Sequence, residues 1–214
     1  MGAVNYAVSI YCEKESAKGT HFRVLLSDKR IKDKLRKLGD VMLGELRIDD
    51  GRHITAQQRK AIYATINDIA SYSGDVPEMI KELLKYRYIG ETGEGYFSLA
   101  NCSVTVARDF LTFVLNFCLE WGIPLSERAV ERTDDIDAYL WSCIKYKKCA
   151  VCGADGEIHH VDTIGMGNDR KTLDDSDKRK ICLCRKHHTE IHQIGTSRFE
   201  SKYKVKGVIY CETR

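Results

Sequence analysis

Apolar residues cluster in two strand-like runs near the start of the chain, then take up helical spacing from about residue 55. Residues 3–12, containing Val4, Tyr6, Val8 and Ile10, and residues 20–27, containing Phe22, Val24, Leu25 and Leu26, are rich in β-formers. Lys18-Gly19 between them is a turn signal, so two strands are predicted. Val41–Ile48 is a third strand candidate, and the charged stretch Lys29–Lys37 reads as a short helix. Thr55-Ala56-Gln57-Gln58 fits a capping box. It opens a helix that carries Ile62, Ile66, Ile69 and Ala70 and stops at Gly74. Asp75-Val76-Pro77-Glu78 is a second box, with proline early in the turn, and Met79, Ile80, Leu83 and Leu84 give its helix an apolar face. Gly90–Gly95 reads as a loop or hairpin tip. Ser103 starts the longest helix, through Phe110, Leu111, Val114, Leu115 and Cys118 to Gly122, and Asp134 starts another with Ile136, Tyr139, Leu140, Cys143 and Ile144. Apolar periodicity lapses between Pro124 and Asp134. The expected organisation is therefore an α+β fold: a mixed N-terminal domain over 1–125, a linker and connecting helix over 126–145, and a small C-terminal domain over 146–214.

Composition narrows this picture. A chain of 214 residues that is 43% hydrophobic can bury a sizeable core, which argues against general disorder. No apolar run approaches the length needed to span a bilayer, and Tyr6–Tyr11 is too short and too polar at its flanks to be a secretion signal. A cytoplasmic protein with no membrane partner is expected. Charge is uneven: residues 145–214 carry 15 Lys/Arg against 10 Asp/Glu, whereas residues 1–144 carry 19 against 21. The positive excess sits in the C-terminal part and suits a polyanionic partner, although ordinary surface charge accounts for it equally well.

Nine cysteines in such a compartment are not read as disulfides. Cys12, Cys102, Cys118 and Cys143 lie among apolar residues as small buried hydrophobes, and Cys211 stands alone. Cys149-x-x-Cys152-Gly153 and Cys184-x-x-His187 differ, because each pair has the spacing with which a tight turn brings two soft ligands to one ion. Together they make a closed, four-ligand site of the structural kind, a frame for a domain with a small core. Cys182 rivals Cys184 but lacks a partner at the right spacing.

Five of the seven histidines fall between 159 and 192. His188 and His192, four apart on a helix, share a face and can grip one ion. His159 and His160, adjacent on a strand, point to opposite sides, so one can ligate while its neighbour does another job. This is the arrangement required for metal-assisted phosphodiester cleavage, where a cation neutralises phosphate charge and an imidazole takes a proton from water.

Residues 149–195 resemble the HNH endonucleases of the ββα-metal family. The resemblance implies His160 as general base. It implies His159, His188 and His192 as ligands of a catalytic divalent ion, most often magnesium (Mg2+). It also implies Cys149, Cys152, Cys184 and His187 as holders of a structural zinc ion (Zn2+). Products with a 3′-hydroxyl and a 5′-phosphate are the family's usual outcome. The departure is at Arg179, where the family has asparagine; an arginine cannot ligate a cation, but it could contact the phosphate, and Asn168 is a substitute for the asparagine. Arg170 and Arg179 are expected near the scissile bond, with Lys171, Lys178, Lys180, Arg185 and Lys186 neutralising DNA phosphates around it. Lys202-Tyr203-Lys204-Val205-Lys206 alternates as a strand would, either as a phosphate track or as a lysine-blunted edge.

Ile54–Tyr63, with Ile69 and Gly74, and the run Ser98–Trp121 closed by Gly122-Ile123-Pro124, are similar to the recombination mediators of lambdoid phages (Orf, or NinB). That likeness implies a phage-encoded protein acting in DNA recombination, binding single-stranded or branched DNA as a homodimer, with Arg59 and Lys60 as contacts. A cap followed by two solvated cations explains the same residues. The expected function is a metal-dependent DNA endonuclease. The alternatives are a non-catalytic recombination mediator carrying a zinc-stabilised relic of the nuclease, and a zinc-dependent protein-interaction module.

Overall fold

The computed structural model describes residues 8–16, 19–26, 51–162 and 177–210. The expected strand at 41–48 and helix at 29–37 lie outside them, as do Asn168, Arg170 and Lys171. The first two strands form an antiparallel hairpin, β1 (Val8–Ser16) and β2 (Gly19–Leu26), with a register irregularity between Cys12 and Lys14.

Three helices then pack together: α1 (Ala56–Ser73), α2 (Pro77–Thr92) and α3 (Val104–Trp121). The Thr55 box forms as expected. The Thr55 hydroxyl accepts from the Gln58 N–H at 3.1 Å, and the Gln58 side chain accepts from the Thr55 N–H at 2.9 Å. Gly74 ends α1 with φ near 80°, a conformation that disfavours side chains.

The second box does not form. Val76 is the N-cap, without a side-chain bond, because the Asp75 backbone N–H is already donated to Ala70 in closing α1, and Pro77 starts α2 unaided. The helix runs through Gly90 to Thr92, so the expected loop begins only at Gly93. Its apolar face also divides. Ile80 and Leu84 are buried, but Met79 and Leu83 are exposed, because the bundle covers a narrower stripe than the apolar residues occupy. Tyr88 anchors α2, with edge-on contacts to Phe97 at 5.8 Å and Phe110 at 5.5 Å.

The aperiodic stretch after Pro124 holds a short helix, α4 (Ala129–Arg132). Its signal is polar: buried Arg132 donates to Asp68 at 2.7 Å and to Thr65 at 3.2 Å, both on α1. Asp135 then caps α5 (Ile136–Lys145), one residue later than expected, accepting from the Ala138 N–H. This helix packs on α3 on one side and on the second sheet on the other, with Leu140, Cys143 and Ile144 buried between.

That sheet is antiparallel with order β3-β4-β5, formed by β3 (Glu157–His160), β4 (Arg179–Leu183) and β5 (Val208–Ile209). Helices α6 (Arg185–Ile194) and α7 (Thr196–Tyr203) follow β4. The lysine-rich tail is therefore not the expected strand. It ends a helix, with Lys204 as a left-handed cap, because Phe199 must be buried against the site and helical spacing delivers it. The protein is α+β, and among the described residues no helix is long and apolar enough to cross a membrane.

Leu140 and Leu83 provide a matched test of this packing. Leu140→Ala is expected to lower unfolding stability in urea by about 2–5 kcal/mol. Leu83→Ala, at a helix position 61% exposed, should change it by no more than about 0.5 kcal/mol.

Candidate metal centres

The first cluster is built from a turn and a helix start. Lys148 bridges Asp155, Cys149 N–H donates to the Ala154 carbonyl at 2.7 Å, and Gly153 N–H donates back to Cys149 at 2.8 Å. Gly153 supplies the positive φ of 72° that this turn needs. The turn is docked from two directions: Ala150 N–H donates to the Cys182 carbonyl, and the Tyr139 hydroxyl of α5 donates to the Ala150 carbonyl at 3.1 Å. Gly156 passes so close to β4 that a Cβ there would lie 2.9 Å from the Cys182 sulfur. Cys184 is the N-cap residue of α6, and His187 follows in the first turn.

Cys149, Cys152, Cys184 and His187 thus converge, with all four ligand atoms within 4.8 Å of one another. A tetrahedral zinc site with Zn–S near 2.3 Å and Zn–N near 2.0 Å requires sulfurs about 3.8 Å apart and sulfur–nitrogen separations of about 3.6 Å. The Cys152–Cys184 sulfurs are 3.7 Å apart, and His187 Nδ1 lies 3.4 Å from Cys149 and 3.3 Å from Cys184. The donor set fits zinc. Cys182 is buried and outside the set, which leaves Cys184 as the candidate ligand. Burial pushes the Cys149 thiol up to about 12, so a thiolate there needs a cation beside it. At Cys184 burial pulls the same way, but the backbone N–H of His187 at the helix start helps bring the thiol below its ordinary value. Phe199 and Tyr203 of α7 wall off the His187 ring, at 6.4 and 5.2 Å between centroids.

The second cluster lies across the same helix. His188 and His192 share a face of α6, 5.0 Å apart, and His159 of β3 meets them at 4.8 and 4.9 Å. Their candidate ligand nitrogens also fall within 4.8 Å of one another. Burial, followed by the neighbouring imidazoles, pushes His159 down to about 4, so it is neutral near pH 7 with a lone pair to give. His160 is half-buried and belongs to neither cluster, as strand alternation requires.

Sequence reasoning gave no role to Glu157, yet it accepts from His188 Nδ1 at 2.5 Å. That bond holds the carboxyl below its usual range and orients the His188 ring. The available signal was alternation, because residues 157 and 159 share a strand face and that face meets α6. Asp162 was also missed. It pairs with Arg179 at 2.7 Å, a partner 17 residues away that no local pattern announces.

The expected DNA contacts are placed unevenly. Arg185 and Lys186 are exposed on the first turn of α6, with Arg185 3.7 Å from Glu157. Lys178 lies 3.4 Å from Asp177. Lys180 is buried in β4. On α1, Lys60 is exposed, whereas Arg59 donates to the carbonyls of Leu99 and Ala100 and so anchors the turn before α3.

Residues 27–214 match the family described as "Putative HNHc nuclease". No curated protein and no solved structure matches the chain.

Two outcomes follow from this geometry. Elemental analysis of the pure protein should find one tightly held zinc per chain, lost in Cys149→Ser with a large fall in thermal stability but retained in His192→Ala. The His159 pKa, lower folded than unfolded, means that the unfolded chain binds the extra proton between about pH 6.5 and 4. Stability therefore falls as pH drops through that window, and urea titrations of His159→Gln should show a shallower acid slope.

Proposed function

The chain belongs to the HNHc nuclease family, and on that premise we propose that it is a metal-dependent endonuclease that hydrolyses DNA phosphodiester bonds. The observation that carries this reading is the convergence of His159, His188 and His192, with His160 next in the strand but outside their cluster. Three converging imidazoles form a site for one divalent ion, magnesium or another, and a fourth is left for proton transfer.

In this reading His159, His188 and His192 hold the catalytic ion, and the carboxylate of Glu157 fixes the His188 ring through Nδ1. A cation bound there supplies charge neutralisation at the scissile phosphate and at the leaving oxygen. His160 accepts the proton of the attacking water. The Cys149, Cys152, Cys184 and His187 site, carrying zinc, ties the turn at 149–153 to the start of α6 and so keeps His188 and His192 opposite β3. Arg185, beside Glu157, and Lys186, both exposed, bind DNA backbone phosphates and give binding a salt dependence rather than sequence preference. Helices α1–α3 serve as the platform on which the cleaving module sits.

Supercoiled plasmid incubated with the purified protein and magnesium or manganese should be nicked. His160→Ala should lower the rate by about 100-fold or more while zinc content and DNA affinity persist. Nicking that survives His160→Ala would remove that residue as the base. Wild-type protein that binds DNA but nicks nothing with several divalent ions would favour a non-catalytic DNA-binding role.

A further inference from the structure

Arg179 occupies the place where the HNH resemblance leads one to expect asparagine, and its surroundings account for the exchange. Regular pairing of β3 with β4 ends at His160 and Lys180, but Val161 N–H still donates to the Arg179 carbonyl at 2.9 Å. One residue further, the Asp162 carboxylate receives several donors from Arg179. Oδ2 accepts the Arg179 backbone N–H at 2.9 Å, while Oδ1 accepts Nη2 at 2.7 Å and Nε at 3.1 Å. The chain leaves the sheet at Asp162 and returns to it at Arg179, so this fork closes the connection between the two strands at its base. Just before the third strand, Gly207 presses on the same point. A Cβ there would lie 2.7 Å from Val161 Cγ2 and 3.0 Å from Arg179 Cβ.

His160 sits two residues before Asp162 and opposite Lys180, immediately inside the fork. We propose that Asp162 and Arg179 form a positioning clamp that holds His160 in register for proton transfer, an inference that rests on the nuclease reading above. Arg179 then acts through the backbone rather than on the phosphate. An exposed ion pair adds little to global stability. A bidentate fork that also takes a backbone N–H fixes direction, and a general base displaced by about 1 Å can lose about 100-fold in rate. Strand ends fray unless something ties them, and here the last pair before the connection carries the proposed base.

The test compares wild type with Asp162→Ala, Asp162→Asn, Arg179→Ala and the double alanine variant. Two readouts are used: the kinetics of plasmid nicking, and the His160 ring signal in carbon–proton NMR spectra of the zinc-loaded protein, assigned with His160→Ala. Asp162→Ala should lower kcat by about 10- to 100-fold, with KM for DNA within about twofold and zinc content unchanged. Asp162→Asn, which still accepts the Arg179 backbone N–H, should recover part of the loss. The double variant should be no worse than either single one, because both remove the same contact. The His160 signal should shift or broaden in Asp162→Ala.

An unchanged His160 signal in Asp162→Ala would overturn the clamp whether or not the protein cleaves DNA. A loss confined to Arg179→Ala and carried in KM would also overturn it, in favour of a phosphate contact. A displaced His160 signal in a protein that nicks nothing would support the clamp and overturn only the nuclease reading.

Discussion

Three cysteine sulfurs and one imidazole nitrogen brought within 4.8 Å of one another are the constraint on which the C-terminal half depends. Uncharged, such a group has weak donors and little mutual attraction. Charged, it repels itself unless a cation lies at its centre. Three of the six separations, 3.3 to 3.7 Å, lie close to the edges of a zinc tetrahedron. The sheet it closes is short, with four residues in β3 and two in β5, and sheets this small have little independent stability. A metal bound there would add its binding free energy to folding and steady α6, a helix of only ten residues that carries three histidines.

The site is also held from the side of the helical bundle. Helix α5 buries Leu140, Cys143 and Ile144 between α3 and β4, and its Tyr139 reaches the backbone of the cysteine turn. Among the described residues, one buried cluster includes residues from Ile54 to Val205. Forces on the site are therefore shared. The bundle fixes the turn, the turn with α6 forms the ligand tetrahedron, and α6 with β3 forms the histidine cluster. Each shell uses a different physics: apolar burial, then a donor set suited to coordination, then oriented hydrogen bonds such as His188 to Glu157. Glu157 and Asp162 grip the two ends of the strand that carries His159 and His160, one through α6 and the other through β4.

Much of the architecture was legible because its signals are local. Thr55 with Gln58, Ser103, Gly74 and Gly122 mark helix ends through bonds made within four residues, and all four behave as read. The candidate donor pairs were legible for the same reason: Cys149-x-x-Cys152 needs only a turn, and His188 and His192 need only one helical face. Readings failed where a local pattern had two outcomes and a distant partner chose. Asp75 could have capped α2, but the end of α1 had already claimed its backbone. The alternating lysines at 202–206 suit a strand until Phe199 and Tyr203 are required against His187, which demands a helix. Arg132 carried no local signal because its partners, Thr65 and Asp68, lie more than 60 residues earlier.

By itself, the sequence pointed to the α+β class, to both candidate donor clusters, and to His160 lying outside the histidine cluster. All of these depend on residue type and short spacing, which a chain carries into any fold. The tertiary structure decided which cations are committed to the protein's own framework. Lys180 is buried, Arg59 is bonded to carbonyls, and Arg179 is forked onto Asp162, while Arg185 and Lys186 remain exposed. A basic side chain looks the same in a sequence whether it faces phosphate or carboxylate, and only the packing of distant segments places the carboxylate beside it.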